Sequence, residues 1–440
     1  MKKFRKFAGI VTAAVMMANL VGCGQQAEES KQETVTESTN AGKESDTETA
    51  TGETKQAVDV VKIGIIEPFT GSQALQGETV RAAYEYVANQ INENGGIKSL
   101  GGAKMELVFA DHQSDSEVGM SETERLISQE GVSVVIGACN SGVVMSATQV
   151  TERMEVPFVV DVPAGIDITE RGMEYVFRTN ISATSYGETF VEFVNYLNKN
   201  YGTDLMTLGT LFDDTEAGRS LVETGIEGGA KENGMEVVSS QPFPNNSQDL
   251  TTFISKLKDA NPDVLATHIG SSSLAVLAAQ QAANLQISPK IIINANGGIE
   301  LPAWQEEVGS LSENWFAMFQ FNADLPGMPE IAEDYTAVTG KELDGFGALA
   351  MQTLHIVRAA LESAGSTDPK AVRDALAGLE ITADSEDMIM PWETIQFDEK
   401  GQNIGARNIV IQWQNGKRVT VYPESCAMAK PVIPDAYFVD

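Results

Sequence analysis

Cysteine is scarce in this chain of 440 residues: Cys23, Cys139 and Cys426 are all there are, and no CxxC pair occurs. Histidine is equally rare, with His112, His268 and His355 at unrelated spacings. Zinc and thiol-redox sites draw on such residues at short fixed spacings, so neither is expected, and Cys139 and Cys426 read as packing residues. Positive charge is also thin. Only 30 Lys and Arg stand against 62 Asp and Glu, a formal net charge of -32. That argues against a nucleic-acid or anionic-membrane binder, because both are approached through clustered cations that neutralise phosphates. Catalytic signatures are missing too. There is no Gly-x-x-x-x-Gly-Lys-Ser/Thr, no Gly-x-Ser-x-Gly and no His-Glu-x-x-His, so no catalytic residue, cofactor or metal is assigned and an enzyme is not expected. The stretch Gly345 to Ala350 fits GxGxxA, but no strand precedes it and a long helix follows, so it reads as a tight helix entry.

What is present divides the chain. Lys2, Lys3, Arg5 and Lys6 precede an apolar stretch from Phe7 to Val21, too short to span a bilayer and suited to a secretory signal over residues 1–22. Leu20-Val21-Gly22-Cys23 follows and resembles the lipobox of bacterial lipoproteins, which implies lipidation of Cys23 and retention at the outer face of the cell membrane. Residues 24–57 contain no aromatic, Leu, Ile or Met residue. Such a segment cannot bury enough apolar surface to offset its ordering entropy, so residues 23–57 are expected to be a lipidated Cys and a disordered acidic linker.

From Val58 onward strands and helices alternate. Val60–Ile66, Lys104–Ala110, Val132–Ile136 and Pro157–Val160 read as strands, separated by helical stripes such as Val80, Ala83, Tyr84, Val87, Ala88 and Ile91. The rhythm restarts after Arg178-Thr179-Asn180, with strands at Met206–Phe212, Met235–Gln241, Val264–Thr267 and Lys290–Asn294. Strands and helices of these lengths imply right-handed crossovers and parallel sheets covered on both faces, here as two α/β lobes. The last third breaks the alternation, with helices at Met328–Val338, Phe346–Ala364 and Pro369–Leu376. Short strands follow at Ile395–Phe397, Asn408–Trp413 and Arg418–Tyr422, the last two joined at an Asn415-Gly416 hairpin turn. This part reads as completing lobes already begun.

In open α/β sheets ligands bind beyond the carboxyl ends of the strands, where helix N-termini present free N–H groups. That rule selects the loops with Gln73, with Asn140 and Ser141, and with Asp161 and Ala164 in the first half. In the second half it selects the loops with Asp214 and Ser271. Tyr186, Phe69 and Trp392 are aromatic candidates for the same pocket, with core or hinge packing as their other reading. Asp213, Asp214 and Glu216 read as a carboxylate pair or cation ligand, or as cap and ligand-facing loop residues.

The motifs Lys62-Ile63-Gly64-Ile65-Ile66 with Pro68-Phe69-Thr70-Gly71, Val135-Ile136-Gly137 with Asn140-Ser141-Gly142, Phe177-Arg178-Thr179, and Phe397-Asp398 to Gly401 occur in one order over roughly residues 58–422. In that order they resemble the Leu/Ile/Val-binding type of extracytoplasmic solute-binding protein that serves ABC importers. The resemblance implies two Rossmann-like lobes joined by a three-crossing hinge, the type I periplasmic-binding fold. One lobe would hold residues 58–179 plus 320–400, the other residues 180–319 plus 401–440. It implies a monomer that closes on a small-molecule ligand and docks to ABC permease subunits, and it gives Ser141 the role of holding a ligand carboxylate. Other family positions differ here: Pro163-Ala164-Gly165 lacks the expected hydroxyl, Ala183 stands for an acid and Ala217 for a Tyr. The ligand class therefore stays open among an atypical amino acid, an amide and a carboxylate. The alternatives are a lipid-anchored sensor for a membrane receptor and, less favoured, an exported α/β enzyme.

Overall fold

The strands Val134–Gly137, Phe158–Val160 and Val176–Arg178 of the first sheet are buried along their whole length, as strands covered on both faces are. The computed structural model describes residues 58–438; the signal segment, Cys23 and the linker expected from the sequence lie outside them. In lobe 1, β1 (Val60–Glu67) leads to α1 (Ala74–Glu93), β2 (Lys104–Asp111) to α2 (Ser116–Arg125) and β3 (Val134–Gly137) to α3 (Ser141–Met154). β4 (Phe158–Val160) passes through the short α4 (Asp167–Glu170) to β5 (Val176–Arg178). The sheet has the order β2-β1-β3-β4-β5, and all of its pairings are parallel.

The chain then enters lobe 2 with α5 (Ala183–Tyr201), β6 (Thr207–Asp213), α6 (Glu216–Gly218), a π-helical stretch Arg219–Ile226 and α7 (Glu227–Glu232). It continues with β7 (Glu236–Phe243), α8 (Thr251–Ala260), β8 (Val264–Ile269), α9 (Ser272–Leu285), β9 (Ile291–Gly297), α10 (Pro302–Val308) and β10 (Phe316–Phe319). α11 (Met328–Thr339), α12 (Gly345–Ala364) and α13 (Pro369–Ala377) return to lobe 1, where α12 lies along α1. A small antiparallel pair, β11 (Glu380–Thr382) and β12 (Thr394–Gln396), precedes the last crossing, after which β13 (Ile409–Gln414) and β14 (Lys417–Tyr422) close the second sheet. Its order is β14-β13-β10-β9-β8-β6-β7, parallel except that β13 runs antiparallel to both β10 and β14. Asn415 and Gly416, both at positive φ (53° and 71°), make the tight turn between those two strands.

Three segments thus connect the lobes, at residues 179–182, 320–327 and 397–408. Two of them are tied together by Arg178, which is fully buried. Its Nε donates to Gln402 Oε1 at 2.6 Å, and its other nitrogens donate to the Gly165 carbonyl and the Thr169 hydroxyl. Burial pulls this guanidinium down to about 10, against the opposing pull of Glu216, Glu170 and Asp398. Asn403 completes the joint by donating from Nδ2 to the Thr179 carbonyl at 2.9 Å.

Candidate functional site

The carboxyl ends of both sheets face a common cleft of about 230 Å³. Lobe 1 contributes Gln73 and Gln76 at the start of α1, Cys139, Asn140 and Ser141 after β3, and Ala164 after β4. Lobe 2 contributes Asp213, Glu216, His268, Ser271 and Asn296. Phe346, at the start of α12, also lines it. Asn140 caps α3 by accepting from Val143 N at 3.2 Å, while its amide donates to Gln73 Oε1 at 3.0 Å, so one residue both ends the loop and fixes the neighbouring one. Ser141, the first residue of α3, is 2% exposed and its hydroxyl has no hydrogen-bond partner within its own lobe. The group it meets across the cleft is the carboxylate of Glu216.

Glu216 Oε1 accepts from Ser220 Oγ at 3.0 Å, whereas Oε2 is buried without a hydrogen-bond partner. Burial raises this carboxyl above its ordinary value, and the hydroxyls of Ser220 and Ser141 and the charge of Arg178 oppose that rise. The Glu216 carboxylate packs directly against Gly165, where a β-carbon would push it aside. Asp213 is more fully committed. Its Oδ2 accepts from Gly270 N at 2.8 Å and its Oδ1 from Thr215 Oγ1 at 3.0 Å, which pins the ends of β6 and β8 to each other. His268 donates from Nδ1 to the Ala295 carbonyl at 2.7 Å and turns Nε2 toward Asp213 Oδ1 at 3.8 Å. Two contacts beside the cleft bridge the lobes: the buried Gln76 Nε2 donates to the Gly270 carbonyl, and Ile166 N donates to Ser220 Oγ at 3.4 Å. Among the described residues that line the cleft there are two carboxylates and neither Lys nor Arg.

Of the residues selected from sequence, Gln73, Asn140, Ser141, Ala164 and Ser271 line this cleft. Three do not, and their placement corrects the expectation. Asp161 is fully buried beneath the floor, held by Tyr84 Oη at 2.7 Å and by Val162 N at 2.7 Å. Tyr186 turns into lobe 2 and accepts from Gln320 Nε2 at 2.8 Å. Asp214 pairs with Arg219 at 2.7 Å on a half-exposed loop. Phe69 packs edge-on against Phe109, and Trp392 donates to the Arg407 carbonyl beside the last crossing, so both serve packing. Gln76 and Phe346 were not singled out, and His268 and Asn296 were selected only as members of their post-strand loops. Gln76 and Phe346 sit inside helical patterns, whereas His268 and Asn296 at the ends of β8 and β9 fall under the same strand-end rule that found Ser271.

The family model described as periplasmic binding protein matches residues 60–417. Leu/Ile/Val-binding protein homolog 7 of Brucella abortus (strain 2308) is 31% identical over 385 residues, covering 85% of this chain and 94% of the relative. LivJ of Streptococcus pneumoniae, a branched-chain amino acid substrate-binding protein solved with isoleucine, superposes with a TM-score of 0.70 at 22% identity, covering 83% of this chain and 100% of LivJ. A solute-binding protein of an ABC transporter from Rhodopseudomonas palustris BisB5, solved with 3,4-dihydroxybenzoic acid, gives a TM-score of 0.72 at 19% identity, covering 86% and 99% of the two chains. Two lobes, a cleft at the carboxyl ends of their parallel strands and this agreement along the whole described body lead to one conclusion: the chain belongs to the periplasmic binding protein family, in its Leu/Ile/Val-binding type, a family of solute-binding proteins.

Proposed function

We propose that this protein is the extracytoplasmic solute-binding component of an ABC importer, anchored through Cys23, and that its ligand is a small amino-acid-like molecule with a protonated amine. The observation that carries the amine is Glu216 Oε2, buried without a fixed donor and facing the Ser141 hydroxyl, in a cleft that no Lys or Arg lines. A buried carboxylate that has lost water is stabilised by a cation with N–H donors. A carboxylate or carbonyl on the same ligand would then lie at the N-terminus of α3, where helix geometry leaves backbone N–H groups without intrahelical partners. A simple aromatic acid offers nothing to Glu216. On this reading lobe 1 is residues 58–179 plus 320–400 and lobe 2 residues 180–319 plus 401–440, acting as a monomer, and the closed pair of lobes is the form a permease recognises.

Thermal-shift screening of the purified protein against amino acids, their amides, amines and aromatic acids tests this, because a ligand that binds only the folded form raises Tm. Amine-bearing ligands are expected to stabilise it. Ser141→Ala and Glu216→Gln should each weaken that binding about tenfold or more, roughly 1.4 kcal/mol. Stabilisation by benzoates and not by amines would sink the amine assignment, and turnover of the bound compound would sink the binding-only role.

A further inference from the structure

Beneath the cleft floor, three adjacent strands of lobe 1 end in groups that can ligate a metal. Glu67 closes β1, Cys139 follows β3 and Asp161 follows β4. Their ligand atoms all lie within 4.8 Å of one another, and all three residues are buried, Glu67 and Asp161 at 0% exposure. Asp161 has fixed donors in Tyr84 Oη and Val162 N. Glu67 has none: both of its oxygens are buried without a hydrogen-bond partner, and the groups nearest them are the Asp161 carboxyl and the Cys139 thiol. The charge acting on Glu67 is that of Asp161, of the same sign, and burial together with that charge pushes the Glu67 carboxyl well up. Two buried carboxylates in contact need a positive charge between them, either a shared proton or a metal ion.

We infer that Glu67, Asp161 and Cys139 form a binding site for a thiolate-preferring divalent cation of the zinc class. Two carboxylate oxygens with one sulfur suit zinc or cobalt, whereas magnesium and calcium take all-oxygen shells. In a tetrahedral site donor atoms stand roughly 3.3–3.8 Å apart, so a modest inward shift of the side chains completes the set. Cys139 also lines the cleft, which leaves the fourth position to water or to the solute and gives the ion a way in from the open lobes.

The test uses the tag-free full chain, stripped with chelator and titrated with cobalt(II) and then zinc(II), with bound metal measured by mass spectrometry. One cobalt per chain with a near-ultraviolet thiolate-to-metal band, displaced by zinc and accompanied by a higher Tm, is the expected result. The band should survive Cys426→Ser, vanish in Cys139→Ser, and need at least tenfold more cobalt in Glu67→Gln. Absence of both band and retained metal in the unsubstituted protein overturns the site and leaves a shared proton between the acids. Loss of the band in Cys426→Ser overturns it as well. The unsubstituted protein decides the matter even where a variant fails to fold.

Discussion

Glu300 is fully buried just after β9, with Oε1 unpartnered, and desolvation lifts its carboxyl to about 8 although Arg418 and Asn294 pull it down. The folded state therefore keeps a proton that the unfolded chain gives up near the ordinary value of 4.5. The stability from this group is complete below that value and drains away as pH climbs toward about 8, at roughly 1.4 kcal/mol per pH unit where the two states differ by a full proton. Glu300→Gln should flatten the fall in urea-unfolding stability between about pH 5 and pH 8; equal slopes in the two proteins would show that Glu300 is charged when folded. The same scale explains how far the site could be read in advance. Ser141, Asn140 and Ser271 reach the cleft because they stand where strand ends feed helix N-termini. Asp161 and Tyr186 were misplaced because a polar residue after a strand, or in a first helical turn, carries no mark of whether it points to the cleft or away. Glu216 was noted as a carboxylate, but the burial of its Oε2 against Gly165 arises only when lobe 2 meets lobe 1.

Between elements, α5 packs closely where it crosses the π-helical stretch Arg219–Ile226. Gly187 of α5 sits against the Gly225 backbone so closely that a β-carbon on Gly187 would collide with the Gly225 carbonyl, and a β-carbon on Gly225 would collide with the Ala183 carbonyl. Gly187→Ala should therefore cost about 1–3 kcal/mol through overpacking, despite alanine's better helix propensity. A Tm equal to or above that of the parent would mean that the helices separate at little cost. Sequence periodicity identified the alternation of strands and helices in both halves, because strands buried on two faces leave apolar runs and their helices leave apolar stripes. It missed β10, whose Phe316-Ala317-Met318-Phe319 is a four-residue apolar run with no period to separate strand from buried helix. Nor does periodicity mark the widened turns from Arg219 to Ile226, which lie at that close crossing.

For the molecule as a whole, the bonds from Gln76 to Gly270 and from Ile166 to Ser220 hold the lobes in a closed arrangement around the cleft. Gln76→Ala removes one of them and should weaken ligand binding roughly fivefold, the worth of about 1 kcal/mol. The ligand-free variant should also show a larger radius of gyration by small-angle scattering than the ligand-bound parent; identical values would mean that Gln76 takes no part in closure. The path of α12 bears on how the protein is made. The five strands of the first sheet are complete by Arg178, yet the helix that covers α1 spans Gly345–Ala364, and β13 and β14 come later still. A chain emerging from its N-terminus cannot seal lobe 1 until nearly all of it has been released, and lobe 2 waits for its final hairpin. Neither lobe can be finished before the other is well under way, so a chain cut short at about residue 340 leaves an apolar face open to aggregation, and the two halves reach their folded state together.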